Sequence, residues 1–177
     1  KEGLAWLDFL QAFQFGGVLA DDMGLGKTVQ VLAHILALKQ DGLLTHPVLV
    51  LCPTSVVDNW RAEAEKFAPM LRVRVLAGAE RHEHFEALAE FDLVITSYAL
   101  LWRDIEALKS QRFALAVFDE AQWLKNAASR SHAAAAQLDA ARRLCLTGTP
   151  LENHLGELKA QLDLAFAARV VEQPDIG

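Results

Sequence analysis

The chain has 177 residues, 53% of them apolar and 23% charged, so it can bury a sizeable core and is not a disordered segment. Its 17 basic and 23 acidic side chains give a net charge of −6, which excludes a small domain that coats itself in nucleic acid by bulk charge and leaves room only for a local basic strip. No apolar run approaches the roughly 18 residues needed to span a bilayer, and no charged-then-apolar leader opens the chain, so no membrane partner is expected. The sequence starts at Lys1 without a Met, as a piece cut from something longer would. Cys52 and Cys145 both sit inside apolar runs and read as two buried, reduced thiols of an intracellular protein.

In chain order, a helix is predicted over about 3–13, then a short buried strand, Gly17–Ala20. An amphipathic helix over 27–39 follows and is stopped by Asp41, Gly42 and Pro47. Strand Val48–Cys52 runs into Pro53, Thr54 and Ser55, with Ser55 the expected N-cap of a helix to Phe67. Strand Val73–Leu76, helix 81–89, strand Asp92–Thr96, helix 99–109, strand Ala114–Phe118, helix 127–140 and strand Leu144–Thr147 complete the alternation, with a last helix over 152–168. Several strands lack polar alternation, as strands covered on both faces do. Strand–helix alternation of this kind predicts an α/β domain with a mainly parallel sheet and helices on both sides.

Between the first strand and the first long helix stands Asp21-Asp22-Met23-Gly24-Leu25-Gly26-Lys27-Thr28. Glycines let backbone N–H groups approach a phosphate, and the helix N-terminus adds partial positive charge. In such a loop Lys27 reaches the β- and γ-phosphates and the Thr28 hydroxyl holds Mg²⁺. The general phosphate-loop pattern has Gly where this chain has Asp21, so only its second half is matched. Ala114–Phe118 runs into Asp119 and Glu120, two carboxylates at the end of a buried strand, a costly placement without a cation nearby. In a parallel sheet these ends line the ligand crevice; there Asp119 would organise Mg²⁺ and Glu120 would orient the water that attacks the γ-phosphate.

The other signals admit two readings. Thr147, Gly148, Thr149 and Pro150 form either an ordinary turn or a sensor of neighbouring phosphates. Thr54, Ser55, Asn59 and Trp60, with Ser97 and Tyr98, are either helix caps plus a Trp packed on the sheet, or a grip on a nucleic-acid backbone. Lys125, Arg130, Arg142 and Arg143, or Lys66, Arg72, Arg74 and Arg81, could form a phosphate track, with scattered solvated charge the favoured account of the second set. His82 and His84 do not share a helix face, which argues against a metal pair.

Taken together, residues 17–28, 51–60, 95–98, 119–122 and 146–153 resemble the first RecA-like lobe of the SWI/SNF-type ATPases, a branch of the superfamily-two helicases. An acidic residue at Asp21 is usual in that branch, and the wording Asp119-Glu120-Ala121-Gln122 looks most like its bacterial members. The resemblance implies a RecA-like three-layer lobe over 1–163 followed by a divergent tail over 164–177. It implies ATP and Mg²⁺ as cofactors, with Asp22, Met23, Gly24, Leu25, Gly26, Lys27 and Thr28 on the nucleotide, Thr28 and Asp119 at the metal, and Lys27, Asp119, Glu120 and Gln122 in catalysis. Gln122, Thr147 and Thr149 would relay nucleotide state. Thr54, Ser55, Asn59, Trp60, Ser97, Tyr98 and Lys125 would face double-stranded DNA.

The implied activity is ATP-driven translocation on duplex DNA, with a DNA-bound protein as remodelling target; a non-hydrolysing nucleotide-sensing or docking module is the alternative. The family's adenine-reading element lies upstream of its first helix and its arginine finger lies in a second lobe. This chain carries neither, so the piece by itself is expected to be nearly inactive. Lys159 and Ala167–Arg169 depart from the family's usual tail. The expected location is the cytoplasm, on the nucleoid, for a bacterial protein and the nucleus for a eukaryotic one.

Overall fold

Val48–Cys52 has no polar side chain, and such a strand is stable only when both faces are covered. In the structure, a computed structural model that describes residues 18–20, 26–124 and 129–147, it lies inside a six-stranded parallel sheet. The strands are β1 (Val18–Ala20), β2 (Val48–Cys52), β3 (Val73–Val75), β4 (Leu93–Ser97), β6 (Leu115–Phe118) and β8 (Arg143–Thr147), in the order β1-β8-β6-β2-β4-β3. Register is set by Val48 opposite Leu93 on one side and Leu115 on the other, and by Val18 opposite Cys145.

The two-residue period of the strands sorts their side chains into two cores. Val48, Val50 and Cys52 join Leu93, Ile95, Val117 and Leu144 in one. That core is covered by α1 (Lys27–Gln40) through Val31, Leu32 and Ile35, and by α2 (Val57–Phe67) through Val57, Trp60 and Ala64. Leu49, Leu51, Val94, Ala116, Phe118 and Cys145 belong to the other core. There they meet α3 (Tyr98–Leu101), α4 (Ile105–Leu108) and α5 (Arg130–Ala136). This is the α/β, RecA-like three-layer arrangement that the strand–helix alternation and the family resemblance imply.

The differences from expectation have local causes. Ser55 does not cap α2: Thr54–Val56 is a 3₁₀ turn, and α2 starts after Val56 without a side-chain cap. The helix expected over 81–89 is a 3₁₀ segment, Ala79–Glu90. His82, Phe85, Leu88 and Phe91 recur every three residues, the period of a 3₁₀ helix; His82 meets Phe85 edge-on, and the other three pack on the second core.

The helix expected over 99–109 breaks in two at Asp104, a buried side chain that pairs with Arg81 at 2.7 Å. The helix expected over 127–140 is described only as Arg130–Ala136, opened by Ser129, whose hydroxyl accepts from the His132 N–H. Arg143 ends it by donating to the carbonyls of Ala135 and Leu138, each at 2.6 Å. Asp139–Ala140 then forms β7, which pairs in parallel with β5 (Arg112–Phe113), a small second sheet that no sequence pattern foretold. The helices expected over 3–13 and 152–168, and the boundary at 163, lie outside the described residues.

Candidate active site

The chain leaves β1, crosses to β2 and skips two places, which β8 and β6 later fill. The carboxyl ends of these strands therefore converge beside the N-terminus of α1, the usual position of a ligand crevice in such sheets. Gly26 delivers the chain into α1 with φ of 90°, a left-handed conformation that a residue with a Cβ adopts only under strain. Lys27 follows and is buried, its ammonium donating to the backbone carbonyl of Thr147 at the end of β8. Asp119 and Glu120 follow β6, and the Asp119 N–H is tied to the Leu51 carbonyl of β2 at 2.8 Å.

Lys27, Thr28, Ser55, Val56, Asn59, Asp119 and Glu120 line one cleft of about 270 Å³. A cation, a hydroxyl and two carboxylates from two distant stretches of chain thus face one space. Asp119 Oδ2 accepts from the Trp60 indole N–H at 2.8 Å, its Oδ1 accepts from the Glu120 N–H at 2.9 Å, and its carbonyl accepts from the Tyr98 hydroxyl at 2.7 Å. Burial pushes the Asp119 carboxyl above the usual carboxylate range; the Trp60 and Glu120 donors pull it back, and the Glu120 charge raises it again. Burial likewise holds the Tyr98 phenol well above its ordinary value.

Glu120 has φ of 49°, the one non-glycine residue with positive φ among those described. Its carboxylate accepts from the Gln122 amide, whose oxygen accepts from the Thr147 hydroxyl at 3.2 Å. Lys27, Thr147, Gln122 and Glu120 are thereby linked, by way of the Thr147 carbonyl and hydroxyl, across the mouth of β6 and β8. No three His, Cys, Asp or Glu side chains gather among the described residues, so a cation here would draw on the Asp119 carboxylate, the Thr28 hydroxyl and oxygens of a ligand.

The residues expected at a nucleic-acid backbone divide. Thr54, Ser55 and Asn59 are exposed. Trp60, Ser97 and Tyr98 are not: they are 0%, 3% and 5% exposed, and their polar atoms are turned to Asp119, to the Leu100 N–H and to the Asp119 carbonyl. In this conformation those three side chains are turned inward rather than presented to solvent. Arg143 is buried on helix carbonyls and is no part of a phosphate track, and Arg81 is paired with Asp104 rather than solvated. Asp22, Met23, Gly24, Leu25, Lys125 and Thr149 lie outside the described residues. The hydrogen bonds of Trp60 and Tyr98 to Asp119 have no sequence signal of their own; the pairing of β2 with β4 and β6 creates them.

The chain matches the family model described as SNF2-related domain over residues 1–174. It is 42% identical over 166 residues to YwqA of Bacillus subtilis, covering 92% of this chain and 18% of that protein. It is 39% identical over 163 residues to the ATP-dependent helicase fft1 of Schizosaccharomyces pombe, covering 88% of this chain and 17% of that protein. Among solved structures, the SWI2/SNF2 ATPase core of Sulfolobus solfataricus in complex with double-stranded DNA aligns with a TM-score of 0.80 at 40% identity, over 92% of this chain and 34% of that one. The chain spans less than a fifth of the length of these curated relatives.

Proposed function

The chain belongs to the SNF2-related domain family, and on that premise we propose that it is the nucleotide-binding lobe of a DNA-dependent ATPase that moves along duplex DNA and remodels protein–DNA complexes. The observation that carries this reading is the shared cleft: Lys27 and Thr28 on one wall, Asp119 and Glu120 on the other. Relatives named as ATP-dependent helicases, and a similar core solved on double-stranded DNA, support it.

In this reading Lys27 exchanges its bond to the Thr147 carbonyl for the terminal phosphates of ATP. Thr28 and Asp119 would hold Mg²⁺; their hard oxygen donors fit it, and a carboxylate disfavoured by burial gains most from a cation. Bound there, Mg²⁺ supplies neutralisation of the charge that develops on the phosphates. Glu120 orients the attacking water and takes its proton, and Gln122 holds the Glu120 carboxylate in place while sensing β8 through Thr147. Ser55 and Asn59, exposed on the lining of the cleft, offer hydroxyl and amide groups to a DNA backbone.

The test uses the complete protein. Lys27→Ala should abolish nucleotide binding, and Glu120→Gln should bind ATP and lose about 10²–10⁴ of turnover. Displacement of a third strand from a duplex by the parent protein with ATP tests translocation. Normal hydrolysis in both variants would refute the site, and ATP turnover indifferent to duplex DNA would refute the motor.

A further inference from the structure

Trp60, on the inner face of α2, is fully buried in the core that α1 and α2 cover, yet its one polar atom is spent on the Asp119 carboxylate. A buried indole N–H needs a partner, and a backbone carbonyl would serve. This one points instead at an acidic side chain on the wall of the cleft. With Trp60 on Oδ2 and the Glu120 N–H on Oδ1, each carboxylate oxygen has one protein donor and keeps acceptor capacity for the cleft. The carboxylate plane is thereby set by the backbone N–H of Glu120 and by an indole that does not line the cleft.

Trp60 also adjoins exposed Asn59 and lies one helical turn beyond Ser55 and Val56, which line the same cleft. The segment that meets solvent and the carboxylate that meets the ligand are joined by one hydrogen bond. Resting on the nucleotide reading given above, the geometry points to Trp60 as a positioning residue: its indole N–H orients Asp119 for Mg²⁺–nucleotide and couples the 54–59 segment to that carboxylate.

The experiment is a Mg²⁺ titration of binding of a fluorescent, non-hydrolysable ATP analogue to the complete protein, alongside its binding in chelator. Trp60→Phe should raise the Mg²⁺ concentration for half-effect about 10–100-fold, the usual cost of losing a partner of a metal ligand. Affinity in chelator should stay at the parental value, which a general packing defect would not leave untouched. Benzothienylalanine at Trp60, the same bicycle with sulfur in place of N–H, should behave like Trp60→Phe and carries the test if the Phe variant does not fold.

A parental Mg²⁺ curve in either variant overturns the assignment, as does a parallel loss with and without Mg²⁺. Asp119→Asn separates the two levels. If it loses the Mg²⁺ response while the Trp60 variants keep it, only the role of Trp60 fails; if it keeps the response, the nucleotide site itself is wrong.

Discussion

Gly26 and Gln122 show how single residues shape the cleft. Among the described residues no atom beyond its chain neighbours lies within 4 Å of where a Cβ on Gly26 would stand, so with φ of 90° Gly26→Ala is disfavoured through backbone strain, by about 1–2 kcal/mol. The expected result is weakened nucleotide binding with a modest drop in melting temperature. Gln122→Ala cuts the link from Thr147 to Glu120 and should leave binding intact while lowering turnover, read as a fall in kcat without a rise in KM. The thiols give a pH prediction. Burial pushes Cys52 and Cys145 up to about 12, from an ordinary 9.0. The fold therefore favours the protonated thiols; that stabilisation is complete below pH 9 and is lost as pH rises towards 12. Native protein at about pH 8 should not react with a thiol reagent, and both cysteines should react once it is unfolded.

Elements depend on groups that no propensity would nominate. Arg143 ends α5 by bonding the Ala135 and Leu138 carbonyls, and burial lowers its guanidinium below the ordinary value. Arg143→Ala leaves those carbonyls buried without a charged donor and should destabilise the protein by about 2–4 kcal/mol, measured as a shift in urea midpoint at constant slope. The strands were legible because apolar runs such as Val48–Cys52 admit no other placement in water. The 3₁₀ segment was legible in principle, since His82, Phe85, Leu88 and Phe91 already have a period of three. The helix expected over 99–109 failed for another reason: buried Asp104 breaks it, and its half-buried partner Arg81 lies 23 residues away.

At the scale of the whole molecule, Lys27, Thr28, Asp119 and Glu120 gather around one cleft, which the proposed function assigns to a triphosphate. An arginine finger from elsewhere typically adds about 10³–10⁵ in rate. On the proposed function, residues 1–177 by themselves are expected to bind ATP weakly and hydrolyse it barely, with no stimulation by duplex DNA. DNA-stimulated turnover by residues 1–177 alone, measured as phosphate release, would contradict this. The sequence by itself determined the α/β class, the positions of the six main-sheet strands and the residue types of the candidate phosphate loop and of Asp119–Glu120, because apolar runs, turn chemistry and the needs of a phosphate are local properties. Only the tertiary structure decided that Trp60 and Tyr98 turn inward to Asp119 while Ser55 and Asn59 stay at the surface. Both outcomes follow from strand order and register, which bring distant backbones within hydrogen-bonding distance and have no signature in any single stretch of chain.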